Sequence, residues 1–143
     1  DATMTVQVGR AIELSVDPDL IWEFISDPEK RASAISVVEG YDLHGDGRAT
    51  WHIELPLPLV SKTVDVETRE VERDPPTSVT FVGESSVMQV RGEHEIEEID
   101  GGTRLVNRFT VDGKVPGVEG FFRKNLDDEL ENLDRALRAE VES

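Results

Sequence analysis

His94 shares its strand parity with Met88, Val90 and Ile96, while Gln89, Arg91, Glu93, Glu95 and Glu97 take the opposite parity. Side chains alternate faces along a strand, so the imidazole is expected to point inward with the apolar set. An inward imidazole can hydrogen-bond a ligand carbonyl or hydroxyl, act as an acid or base, or rest as a satisfied core histidine. Asn107 stands between Leu105 and Phe109 on the apolar parity of a later strand, and Arg10 sits beside Ile12 in the first strand. A buried amide or guanidinium is costly without partners, so each must meet a protein group, water or a ligand. For Arg10, Gly9 offers a way out through a bulge that returns the side chain to solvent. In an enzyme built on these residues, His94 would be the acid or base, and Asn107 or Arg10 would polarise a carbonyl.

Other chemistry has less support. Ser85 and Ser86 lie near an expected turn without the glycine pattern of a nucleophile elbow. His52 with Glu54, or His94 with Glu93 and Glu95, falls short of the three-ligand spacing of a catalytic zinc site, so no metal is expected. Cysteine is absent, which removes disulfides, thiolate catalysis and Cys-ligated zinc. The glycine-rich turns at Gly45 and Gly101 close hairpins and lack the strand-to-helix context of a phosphate loop. No cofactor is implied.

The elements that must position these residues follow from periodicity. Val6 to Val16 reads as a strand. Asp17 then caps a short helix with Pro18 in its first turn, and Ser26-Asp27-Pro28 starts a second that runs to about Ile35. Alternating runs follow at Val37 to Leu43, Arg48 to Leu55, Ser61 to Arg73, Ser78 to Gly83, Val87 to Ile99 and Thr103 to Val111. In the fourth strand the apolar parity shifts between Val66 and Val71, which predicts a bulge or bend. The chain closes with an amphipathic helix from Val118 to about Val141, entered through Pro116-Gly117. Phe122, Leu126, Leu130, Leu133, Leu137 and Val141 form its apolar stripe. At about 1.5 Å per residue this helix spans roughly 36 Å, so the strands must form a sheet that curls around it, and such a sheet encloses a pocket.

Trp51, Ile53, Phe81, Met88, Val90 and Phe109 are the expected ligand-contacting walls from the strands, with His94 and Asn107 as the orienting polar groups. Phe121, Phe122 and Asn125 are the expected contributors from the helix. Glu129 reads as the ordinary polar border of that helix. Leu55-Pro56-Leu57-Pro58-Leu59-Val60 reads as a proline-stiffened apolar loop, with a lid, a partner contact or shallow membrane insertion as alternatives.

The 143 residues carry 31 acidic and 15 basic side chains, a net charge of −16, and lysine only at positions 30, 62, 114 and 124. Phosphate binding needs a basic stripe and none is visible, so nucleic acid is excluded as a partner. Dispersed acid with scarce lysine resembles proteins from extreme halophiles. No apolar run approaches the roughly 20 residues of a membrane helix, and a cytoplasmic location is expected. Asp1, Ala2 and Thr3 precede a Met that reads as the natural start, so residues 4–143 are taken as one domain.

The order of one strand, two short helices, six strands and one long helix resembles the helix-grip fold of the START and Bet v 1-like (SRPBCC) superfamily, an α+β class. Ser26-Asp27-Pro28-Glu29-Lys30, Arg73-Asp74-Pro75-Pro76-Thr77-Ser78-Val79-Thr80-Phe81 and Gly101-Gly102-Thr103-Arg104-Leu105 look like its branch of carbon monoxide dehydrogenase-associated and polyketide cyclase-like proteins. The resemblance implies a cavity between helix and sheet for a lipid, isoprenoid quinone or polyketide-like molecule. It allows two alternatives: an enzyme of the polyketide cyclase or dehydratase type, and an accessory protein for a redox enzyme such as a carbon monoxide dehydrogenase-like complex. A C-terminal membrane-recruiting extension of that branch has no counterpart after Ser143, which leaves membrane contact unsupported and a protein partner open.

Overall fold

The computed structural model describes residues 5–57 and 63–142. β1 (Thr5–Leu14) is followed by α1 (Pro18–Ile25) and α2 (Pro28–Ser33). Six strands come next: β2 (Val38–Gly45), β3 (Arg48–Ile53), β4 (Val64–Asp74), β5 (Ser78–Glu84), β6 (Met88–Ile99) and β7 (Gly102–Gly113). α3 (Val118–Val141) ends the order. The Asp17 and Asp27 carboxylates accept from the backbone N–H groups of Asp19 and Glu29, capping α1 and α2. Pro18 and Pro28 fill first-turn positions where a missing N–H costs nothing.

The strands form one antiparallel sheet in the order β1-β7-β6-β5-β4-β3-β2, so β1 crosses over to pair with the last strand. The sheet bends around α3 in the expected helix-grip arrangement. Phe122, Leu126, Leu130, Leu133 and Leu137 are buried on one side of α3, and Val141 is half-buried against the same core.

Boundaries differ by a few residues from the sequence reading. β1 ends at Leu14, α2 at Ser33, and β7 runs from Gly102 to Gly113. Ser61 and Lys62, expected to begin the fourth strand, lie outside the described residues, as do Pro58, Leu59 and Val60. The irregularity expected in that strand falls between Glu70 and Glu72. No bulge occurs at Gly9: the β1–β7 register is unbroken from Thr5↔Asp112 to Leu14↔Thr103.

Cross-strand register arranges the inward side chains in rows. Glu70, Phe81, Gly92, Phe109 and Val8 are successive partners in one row, and Val79, His94, Asn107 and Arg10 form the next. Glycine at position 92 is what admits the Phe81 ring, because a Cβ there would stand 2.2 Å from Phe81 Cε1 and 3.0 Å from Phe109 Cε1.

Candidate functional site

Under the first half of α3 the sheet leaves a cavity of about 30 Å³. Trp51, Ile53, Phe81, Met88, Val90, Phe109 and Phe122 line it, all expected from the sequence. Ile35, Val37, Val38, Val111, Leu126 and Glu129 also line it and were not singled out. Thirty cubic ångströms is about the share of one water in the liquid, whereas small-molecule pockets run about 300–1,000 Å³. An occupant therefore requires side chains, or α3 itself, to move.

His94 and Asn107 stand in the next row, beyond the aromatic pair Phe81 and Phe109 that forms the cavity wall. Both are buried, and His94 Nδ1 lies 2.7 Å from Asn107 Oδ1. The His94 ring lies nearly parallel to Phe81, with centroids 6.0 Å apart, and meets Phe109 edge-on. Burial pushes its pKa down to about 4, against the Asn107 hydrogen bond that favours the charged form, and the nearby Arg31 charge pushes it down further. The imidazole is neutral at pH 7.

Arg10 shares the inward parity, and α3 claims it. Its Nε donates to Asp134 Oδ2 at 3.0 Å, and its side chain stays about one-third exposed. Asp134 is buried. Burial raises its carboxyl pKa, and Arg10 opposes that rise with help from Arg138 and the facing Asn107 amide. The Asn107–Asp134 approach falls short of a full hydrogen bond.

Arg31, on α2, was missed. Its side chain is 6% exposed, donating through Nη1 to the Ile25 carbonyl at 2.9 Å and through Nη2 to Glu70 Oε2 at 3.0 Å. The guanidinium lies over the Phe81 face, 5.2 Å from its centroid. Burial lowers its pKa while Glu70 works to raise it. Burial would raise the Glu70 carboxyl, but Arg73 and Arg31 outweigh it and hold the carboxyl below its usual value.

Two helix residues behave differently from expectation. Glu129, read as a polar border, is buried at 4% exposure. It accepts from the Ser36 N–H and hydroxyl, the Val37 N–H and the Asn132 amide, and so ties α3 to the segment before β2. That segment's unpaired N–H groups draw the carboxylate inward. Asn125 donates to the Phe121 carbonyl of its own helix and Phe121 packs edge-on against Phe122, so neither lines the cavity. Near the mouth, Leu55 is buried and Leu57 packs beside Gly117 at the start of α3.

His52 is on the outer face, with its ring nitrogens 2.7 Å from Asp42 Oδ2 and from Asp65 Oδ1. Hydrogen bonds to Asp42 and then Asp65 raise its pKa. Among the described residues, Asp127, Asp128 and Glu131 are the acids grouped closely enough for a cation. They lie in a solvent-facing part of α3, with Asp127 and Glu131 near Arg10.

A family model described as polyketide cyclase / dehydrase and lipid transport matches residues 5–138. No curated protein matches the sequence. Among solved structures, a START superfamily protein from Mycobacterium smegmatis is 16% identical with a TM-score of 0.74, and the match covers 95% of this chain and 97% of that one. The Zhui aromatase/cyclase from a Streptomyces species is 18% identical with a TM-score of 0.67, covering 96% and 94%. A conserved protein from Geobacillus kaustophilus is 17% identical with a TM-score of 0.74, covering 95% of each chain. No helix among the described residues is long and apolar enough to cross a membrane.

Proposed function

Because the chain belongs to the polyketide cyclase, dehydrase and lipid transport family, we propose that it binds a hydrophobic small molecule, a lipid, isoprenoid quinone or polyketide-like compound, between α3 and the sheet. The observation that carries this reading is the cavity under α3, walled by apolar side chains apart from Glu129. Trp51, Ile53, Phe81, Met88, Val90, Phe109 and Phe122 hold the apolar body, and the His94–Asn107 row lies at its inner end. Non-covalent binding to the folded state alone raises stability by about 2.7 kcal/mol at a hundredfold excess over Kd. Native mass spectrometry of the protein as purified, and melting curves with decanoic acid or a short-chain ubiquinone, test the proposal. A retained apolar compound or a rise in Tm is expected. Repeated ligand-free spectra with an unmoved Tm would end it.

A second reading is a cyclase or dehydratase with His94 as base. The neutral His94 favours it, since a base must be unprotonated, but a pKa of about 4 gives proton transfer little driving force. Turnover lost in His94→Gln would support catalysis.

The acidic surface supports a halophilic, cytoplasmic setting. At −16, self-repulsion opposes the compact state and salt screens it. The urea midpoint is expected to rise steadily between about 0.05 M and about 2 M KCl, a range over which the Debye length falls from above 10 Å to well below it. A midpoint indifferent to salt would refute the halophilic reading.

A further inference from the structure

Among the described residues, four buried side-chain atoms lack a hydrogen-bond partner: Arg31 Nε, His94 Nε2, Asn107 Nδ2 and Asp134 Oδ1. They belong to one connected set. Arg10 fixes Asp134, Asp134 faces the Asn107 amide, Asn107 bonds His94, and His94 and Arg31 both lie against Phe81. Buried polar groups are almost always satisfied, and leaving them unpaired is costly. Four together mark a place prepared for something polar.

The set also specifies what kind of polar group. The Asp134 carboxylate attracts the NH₂ end of the Asn107 amide, which turns Oδ1 toward His94. An amide oxygen 2.7 Å from Nδ1 accepts a hydrogen bond, so the Nδ1 nitrogen carries the imidazole proton. The other nitrogen, Nε2, is then a bare lone pair that can only accept. Arg31 Nε–H, against the same Phe81 ring, can only donate.

We propose that His94 Nε2 and Arg31 Nε form a head-group site for a neutral hydroxyl, which donates to the imidazole and accepts from the guanidinium. This rests on the carrier reading and narrows it, because a ketone or quinone carbonyl has no proton to give His94. The Phe81 ring separates the site from the cavity, so an amphipathic alcohol enters with its chain under α3 and its hydroxyl past a displaced Phe81. Gly92 leaves the ring's edge free of a Cβ in that direction.

The test uses the whole protein and three probes of equal chain length: decanol, the matching methyl ketone and decane. Each competes with a bound apolar fluorescent dye. Decanol is expected to bind about tenfold more tightly than the other two, the ratio typical of one buried hydrogen bond. In His94→Leu the alcohol's advantage should disappear while decane affinity holds. Should that variant fail to fold, nitrogen NMR of the wild-type His94 ring decides. Nε2 is expected in the unprotonated range, shifting on addition of decanol and not of decane. If none of the probes binds, both the carrier reading and the site fall. If all three bind equally, or the ketone binds best, the carrier reading stands and the hydroxyl site falls. A protonated Nε2 in the free protein, or a resonance that decanol leaves unmoved, overturns the site as well, because water alone then fills the space.

Discussion

Chemical denaturation at descending pH is expected to show His94 alone removing roughly 3 kcal/mol of stability between its unfolded pKa of 6.5 and its folded pKa of about 4. Desolvation sets the direction: a buried imidazole resists charging, whereas in the unfolded chain it takes a proton freely. Between the two values the unfolded state binds more protons than the folded one, so stability falls as pH falls. The contribution is whole above about 6.5 and exhausted below about 4. His52 works in the opposite sense. Its pKa is raised, so its stabilisation is present below 6.5 and fades as pH climbs through the raised value, though solvent screens it at the surface.

Carboxylates also titrate across this range, so the His94 share has to be isolated by difference. His94→Leu should unfold with a flatter pH dependence than the wild type, and the gap between the two curves should close toward pH 4. The variant removes the charging penalty but leaves Asn107 Oδ1 without its donor, so it need not be more stable at neutral pH. Parallel curves from pH 7 to 4 would mean that His94 charges in place, with Asn107 and the Phe81 and Phe109 rings yielding to admit water. Such an opening would itself contradict a closed, dry polar row.

The order of elements was legible because it depends on local periodicity. The limits of α3 and the inward parity of His94 and Asn107 needed only spacing rules, and seven expected walls meet at the cavity. Arg31 was not legible. In Pro28-Glu29-Lys30-Arg31-Ala32-Ser33 nothing local distinguishes the cation that turns inward from Lys30, which pairs with Glu140 on the surface. The missing signal lay on another element. Glu70 shares parity with Val66 and Thr68, both buried, and a carboxylate on an inward parity demands a cation. Glu129 was misread for a related reason: an amphipathic helix has two polar borders, and only the unpaired N–H groups of Ser36 and Val37 tell which one is buried. Asp134 likewise depends on Arg10, 124 residues earlier. Long-range polar pairing leaves no period in the sequence.

Glu70→Ala is expected to cost about 3–5 kcal/mol of unfolding free energy, the range for removing one partner of a buried ion pair. Arg31 would keep its bond to the Ile25 carbonyl but lose the charge that compensates its desolvation. The guanidinium cannot shed its proton to escape, since its pKa lies far above any working pH. Replacing both partners, Arg31→Met with Glu70→Leu, should recover most of the loss, because two apolar side chains carry no charge to desolvate. Urea unfolding of the two single variants and the double variant measures the coupling directly. A Glu70→Ala loss under about 1 kcal/mol would place Arg31 in contact with water. The consequence extends to the ligand site through Phe81. That ring is held by Trp51, Phe109, His94 and the Arg31 guanidinium on its face. Loss of Glu70 therefore loosens the wall between the apolar cavity and the polar row. The double variant restores stability without restoring a donor at position 31, so it separates the fold's need for this pair from the site's.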